Sequence, residues 1–158
     1  MEHQAKFSAV DPEYERRVRE SFAGQGFMKH LGARMTELRP GYCEIRAKYR
    51  EELTQQHGYL HAGVSGAIAD SAAGYAAYTL MPADSAVLTV EYKVNLLAPA
   101  DGEELIARAR VVRSGRTLKI CAADVFVVKG AQETHCAILL STIMCLAGKT
   151  DRRTSDAS

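Results

Sequence analysis

The sequence predicts one α+β domain, an antiparallel sheet with its helices on one face. Three observations carry this. The second half holds four long alternating segments joined by short Gly or Pro turns, and connections that short require antiparallel pairing. Residues 61–80, HAGVSGAIADSAAGYAAYTL, are Ala-rich and free of Lys, Arg and Pro, so length and composition make them one long helix. A chain of 158 residues with 47% hydrophobic side chains has the size and core material of one domain.

Taken in order, residues 1–10 read as a flexible N-terminus, 11–147 as the domain and 148–158 as a disordered polar tail. The first helix opens with Asp11 as N-cap and Pro12 in the first helical position. It carries Tyr14, Val18 and Phe22 on one narrow face and ends at Gly24 and Gly26. Strand texture starts at Gly32, turns at Arg39-Pro40-Gly41 and returns through Cys43–Tyr49, followed by a polar loop to Gly58. After the long helix, Met81-Pro82 stops the chain. In the next strand, alternation puts Leu88, Val90, Tyr92, Val94 and Leu96 on one face and Thr89, Glu91, Lys93 and Asn95 on the other. Strands over 105–112, 117–128 and 134–146 follow, with turns at Ser114-Gly115 and Lys129-Gly130.

Composition narrows the function. Twenty Lys and Arg stand against 19 Asp and Glu, without the basic surplus of a nucleic-acid binder. No apolar run reaches the ~18 uncharged residues of a membrane helix, and no signal-peptide pattern opens the chain. Cys43, Cys121, Cys136 and Cys145 lack C-x-x-C spacing and lie in apolar runs, which reads as buried reduced thiols and a cytoplasmic location. His57 and His61 have the i, i+4 spacing of helix-borne metal ligands but lack the Glu of H-E-x-x-H, so no metal site and no cofactor is expected.

One residue does not fit its surroundings. Asp70 lies within the apolar helix, and its neighbours at i±3 and i±4 are Gly66, Ala67, Ala73 and Gly74, none able to pair with a charge. Gly63, Gly66 and Gly74 each cost a helix about 1 kcal/mol relative to Ala, a cost that close approach of backbone or ligand would offset. A helix beginning near His61 offers unpartnered N–H groups and the positive end of its dipole to developing negative charge. Asp70 lies nine residues on, about 13 Å along the axis. One helix cannot bring both to a single atom. The geometry therefore expects an oligomer in which the helix N-terminus of one subunit faces the middle of its mate.

The pattern His61-Ala62-Gly63-x₆-Asp70, with four long strands after it, resembles the hotdog-fold acyl-CoA thioesterases of the PaaI-like branch. Asn95-Leu96-Leu97-Ala98-Pro99-Ala100-Asp101-Gly102 and the Arg113-Ser114-Gly115-Arg116-Thr117-Leu118 hairpin extend the likeness over roughly residues 30–147. The resemblance implies a long central helix wrapped by an antiparallel sheet, acyl-CoA as substrate and assembly as a homodimer or a dimer of dimers, a homotetramer. It implies Asp70 as nucleophile or general base, Gln55 orienting water or thioester, the Ala62 N–H polarising the carbonyl and His61 supporting that loop or contacting the substrate. Gly63 would contact the substrate; the Arg113–Arg116 hairpin, Ser114 and Gly115 included, reads either as a contact to CoA phosphates or as an exposed basic turn. Ala62 stands where the family has Gly, which keeps the N–H but disfavours a positive φ. A medium or long fatty acyl chain suits the aliphatic surroundings, with an aryl group as runner-up, and Tyr75, Tyr78, Leu80 and Met81 are placed at the tunnel's far end. Two other readings share the residues: a hotdog dehydratase or hydratase, whose H-F-P-x-x-P-x-x-P-G pattern is missing, and a non-catalytic acyl-CoA binding module.

Overall fold

A computed structural model describes residues 7–151. Two short helices, α1 (Tyr14–Gly24) and α2 (Gly26–Leu31), lead into strands β1 (Arg34–Arg39) and β2 (Tyr42–Lys48). A 3-10 turn over Glu51–Leu53 precedes helix α3 (Ala62–Tyr78), and β3 (Ser85–Leu96), β4 (Glu104–Ser114), β5 (Leu118–Lys129) and β6 (Gln132–Ala147) complete the chain. The six strands form one antiparallel sheet in the order β1-β2-β4-β5-β6-β3, with α3 packed against five of them. This is the expected α+β architecture of a long helix held by an antiparallel sheet.

The core follows from composition. Ile68, Ala69, Ala72, Ala73, Ala76 and Ala77 of α3 are fully buried against Ile45, Leu105, Ala107, Ala109, Cys121, Ala123 and Val125. Small side chains on both surfaces let helix and sheet approach closely. All four cysteines are free and buried, and burial pushes the Cys136 thiol up to about 11. No helix among the described residues is long and apolar enough to cross a membrane.

The N-terminal segment holds two helices where one is expected. Gln25 is extended (φ −76°, ψ 106°) and breaks the chain for one residue, after which buried Met28 and Leu31 anchor a second short helix that ends on Gly32 at φ 65°. Asp11 serves the first turn, its Oδ1 accepting from the Glu13 N–H at 2.9 Å. Its Oδ2 takes the Arg17 Nε–H at 2.8 Å, and Arg17 Nη2 donates to Met81 O at 2.9 Å, near the C-terminal end of α3. Burial alone would raise the Asp11 carboxyl, but the Glu13 N–H and Arg17 outweigh it and hold the group below its ordinary value. Replacing Arg17 with Met strands that carboxylate and a helix-end carbonyl. It is expected to cost about 3 kcal/mol in urea unfolding.

Helix α3 stops at Tyr78, two residues before Leu80. The Thr79 hydroxyl donates to Ala76 O at 2.6 Å and accepts the Gly41 N–H at 2.8 Å, which ties the helix end to the β1–β2 turn. Of the two expected tails, Phe7 packs beside Gly41 and the Gly148 N–H donates to Asp84 O at 2.7 Å; residues 1–6 and 152–158 lie outside the described residues.

The face assignment of β3 needs correction. The β3–β6 register slips between Thr89 and Glu91, so Val90 is an inserted residue. Thr89 therefore faces α3 together with Tyr92, Val94 and Leu96, while Leu88 faces outward and is 54% exposed. Strict alternation put Thr89 with the outward polar set.

Candidate active site

The segment before α3 is folded back on itself. Gly58 has φ 81°, a value glycine adopts freely, and closes a turn in which its N–H donates to Gln55 O at 3.0 Å. The His57 N–H is bonded to Gln55 Oε1, leaving the Gln55 Nε2 amide as a donor. Leu60 N–H donates to Ala100 O at 3.0 Å and His61 N–H to Leu53 O at 2.9 Å, which fixes the entry to the helix. His57 and His61 therefore stand in a turn and at an N-cap, and do not share a helix face.

His61 is the N-cap of α3. Its Nδ1 accepts the Gly63 N–H at 2.8 Å, and a Cβ on residue 63 would meet that nitrogen at 3.0 Å. The imidazole thus consumes one of the orphan helix donors. The Ala62 N–H has no acceptor among the described residues, and no described non-glycine residue has a positive φ. Ala in place of Gly is therefore accommodated without backbone strain. Gln55, His61 and Ala62 line one cavity of about 480 Å³ with Ser65, Leu96 and Cys136.

Asp70 does not line that cavity. It lies eight residues further along α3, half-buried, its Oδ1 accepting the Thr89 hydroxyl at 2.8 Å. Burial raises its carboxyl above the ordinary value and the Thr89 hydrogen bond offsets this in part; no cation among the described residues pairs with it. At 100° per residue, Gly63, Ala67 and Asp70 fall within a narrow sector of the helix, and none of the three is fully buried, whereas Gly74 on the same line is. One wall beside this sector is β3, running antiparallel to α3: Thr89 touches Asp70, Tyr92 Oη lies 3.9 Å from where a Gly66 Cβ would be, and Leu96 shares the cavity with Ala62. On the other side Gln25 contacts Ser71 and Tyr75, through Ser71 Oγ–Gln25 Oε1 at 3.3 Å and Gln25 Nε2–Tyr75 Oη at 2.9 Å.

A second cavity, of about 970 Å³, opens beyond this point. Ser21, Gln25, Tyr75, Tyr78 and Val87 line it, under a rim of charged residues from α1. Tyr75 and Tyr78 thus line a cavity, whereas Leu80 and Met81 line neither of the two. The Arg113–Arg116 hairpin is exposed and lines neither cavity. Gly115 is required there, since a Cβ would come within 2.7 Å of Leu118 O, and the buried Lys119 donates from Nζ to Gly115 O at 3.1 Å. The register sets Leu118 level with Met144 and Leu88, so this hairpin lies at the β3 end opposite Leu96 and Ala62.

One chain thus presents two separated halves, an N–H donor with Gln55 at one end of α3 and a carboxylate at its middle. Sequence reasoning missed Thr89 and Gln25. Only the bulge brings Thr89 to Asp70, and nothing local in the sequence marks it.

The family model described as "Thioesterase superfamily" matches residues 57–134, a span that takes in His61, Ala62, Asp70, Thr89 and the Arg113–Arg116 hairpin. A solved thioesterase family protein from Silicibacter pomeroyi is 48% identical, with a TM-score of 0.84 over 85% of this chain and 99% of its own. The chain belongs to the thioesterase superfamily. Its hotdog fold is shared with the PaaI protein of the E. coli phenylacetic acid degradation operon, at a TM-score of 0.77 and 17% identity over 87% of this chain and 96% of that one. A 1,4-dihydroxy-2-naphthoyl-CoA hydrolase of Listeria monocytogenes is 26% identical over 60% of this chain and 77% of its own. The PaaI-like thioesterase resemblance read from the motifs therefore holds for the family and the fold.

Proposed function

We propose that this thioesterase hydrolyses an acyl-CoA to the free acid and CoA with Asp70 as its reactive carboxylate. The observation that carries the reading is Asp70 itself, a half-buried carboxylate on a helix of small residues, held by one hydroxyl and without an ion pair among the described residues. It acts as nucleophile on the thioester carbon or as general base for water. Either way the acyl–sulfur bond breaks, water supplies the acid's oxygen and the thiolate leaves with a proton.

The oxyanion that forms needs donors, and the Ala62 N–H at the positive end of α3 is suited to it. Since one chain separates Ala62 from Asp70, the reading requires a homodimer in which Asp70 of one subunit meets Ala62 and Gln55 of the other. The β3 edge supports this arrangement: it has no neighbour strand within the sheet, and it exposes Val90 and Tyr92. In the same dimer the Arg113–Arg116 hairpin of one subunit approaches the partner's helix N-terminus, where it would hold CoA phosphates. Pairing of two such dimers gives the tetramer, and the reduced cysteines suit a cytoplasmic setting. The acyl group is a medium or long aliphatic chain. An aryl group is the second reading, favoured by the hydroxyls of Ser21, Ser71 and Tyr75 around Gln25.

The test is an acyl-CoA panel, aliphatic and aryl, assayed with a thiol reagent for wild type and Asp70→Asn. Hydrolysis that survives the substitution removes Asp70 from the mechanism; tight binding without turnover by the wild type points to a binding module. The pH dependence gives a further check. Catalysis needs the carboxylate, and burial lifts its midpoint above the ordinary 3.8. kcat/KM is therefore expected to rise with pH through an acid limb placed above that value, measured across a constant-ionic-strength buffer series.

A further inference from the structure

We infer that Gln25 is a specificity-determining residue, which sets hydrogen-bonding groups in the larger cavity to select an acyl group carrying a hydroxyl away from its thioester. The inference rests on the proposed hydrolysis at Asp70 and narrows the acyl class that site would take. Its basis is where the Gln25 side chain goes. The residue separates α1 from α2 and stands at the N-cap of α2, yet its side chain makes no capping bond there. Gln is outside the usual set of N-capping residues. It reaches across to α3 instead, where Oε1 accepts from the Ser71 hydroxyl at 3.3 Å and Nε2 donates to Tyr75 Oη at 2.9 Å.

An acceptor at one end gives this chain of hydrogen bonds its direction. The Asp151 carboxylate accepts from the Ser21 hydroxyl. Ser21 Oγ has then used its proton, so its 3.1 Å contact with Tyr75 Oη takes the Tyr75 proton. Burial keeps that proton in place, pushing the Tyr75 phenol up to about 12. Tyr75 Oη in turn accepts from Gln25, and Gln25 Oε1 from Ser71. The amide is thereby held in one orientation, with a second N–H on Nε2 beside the acceptor lone pairs of Ser71 Oγ. A donor next to an acceptor suits a hydroxyl, which can answer both. A plain methyl end would desolvate these groups and return no hydrogen bond.

The set lies close to the reacting carboxylate. Ser71 follows Asp70 in the chain, and Gly74, Ser71 and Tyr75 stand about 40°, 100° and 140° round the helix from it. Tyr75 is about 7.5 Å further along the axis. Gly74 lies between them and is buried, yet outside the helix backbone nothing lies within 4 Å of where its Cβ would be. Open space thus adjoins the Asp70 turn on the side of the cavity. That cavity, of about 970 Å³, has the size of a small-molecule pocket. The cations of its rim are already paired, Arg17 with Asp11 and Arg16 with Glu13 and Glu20, which favours a neutral hydroxyl over a second carboxylate.

The test uses matched thioesters, octanoyl-CoA with ω-hydroxyoctanoyl-CoA and phenylacetyl-CoA with para-hydroxyphenylacetyl-CoA, on wild type, Gln25→Met and Tyr75→Phe. Wild type is expected to prefer the hydroxylated member of one pair by about 10-fold or more in kcat/KM. The pair that shows it tells an aliphatic carrier from an aromatic one. Gln25→Met, unbranched and apolar, should bring the ratio within about twofold of one by losing rate on the hydroxylated ester alone. Tyr75→Phe keeps the ring against Phe22 and should lower the ratio in part. A residue that only ties α1 to α3 would lower both rates together. An unchanged ratio in Gln25→Met therefore overturns the inference, as does a wild type without preference in either pair. Should Gln25→Met fail to fold, Tyr75→Phe decides, and an unchanged ratio there overturns it. Wild-type inactivity on all of these esters overturns hydrolysis at Asp70 instead, and Kd values of the matching non-hydrolysable thioethers then decide Gln25 by the same ratios.

Discussion

Asp70→Asn is expected to lower kcat by about 10²–10⁴-fold while leaving KM within a fewfold, the loss associated with removing a group that acts in the transition state. The same substitution should raise the melting temperature at neutral pH. The folded-state midpoint of Asp70 lies above its unfolded value because burial disfavours the charge. A carboxyl so raised binds its proton more tightly in the folded chain, so it destabilises the fold at every pH above the folded midpoint and has no such effect below the unfolded one. Asn is neutral throughout and its Oδ1 can still accept from Thr89. Thermal unfolding of the two proteins should therefore differ at pH 7, with the variant more stable, and the difference should shrink as pH falls through the acid limb. Loss of activity with gain of stability would mark Asp70 as a residue kept for chemistry at a cost to the fold. Lower stability in the variant at pH 7 would mean that the charge helps hold the helix in place, and would count against the site.

Much of this was legible in the sequence, and the reason lies in which signals are local. Helix α3 declared itself because seventeen residues of Ala, Gly and a few apolar side chains admit little else, and Asp70 stood out because nothing within a turn of it carries charge. Cys43, Cys121, Cys136 and Cys145 are buried and free, as the apolar runs around them imply. Thr89 was misplaced because a bulge inserts one residue without a compositional mark: Val90 looks like any strand valine, and its neighbours alternate cleanly on paper. Helix α2 was missed because the Gly24-Gln25-Gly26 break reads as an end, while the anchoring of Met28 and Leu31 is a tertiary fact. Gln55 has no local signal at all. Its candidacy came from the family resemblance, and its place in the Ala62 cavity depends on the backbone turn at Gly58 and the tie from Leu60 to Ala100.

The separation of Asp70 from Ala62 leads to the second large effect. Ala62→Pro removes one backbone N–H and little else. Pro is well tolerated as the first residue of a helix. His61, at φ −64° and ψ 139°, already has the backbone preferred before proline. The Ala62 N–H has no acceptor among the described residues, so no internal bond is lost. The fold should be unchanged by circular dichroism and thermal unfolding, while kcat falls by about 10²–10³-fold, the usual loss for one oxyanion donor. Mixing this variant with Asp70→Asn after reversible dissociation then tests where the halves meet. If each site takes Asp70 from one subunit and the Ala62 N–H from the other, a mixed dimer has one intact site and one doubly disabled. A random equimolar mixture should then recover about a quarter of the wild-type rate from two nearly inactive proteins. If both groups came from one chain, every site in the mixture would lack one of them. No activity would return, and the shared-site arrangement would fail with it.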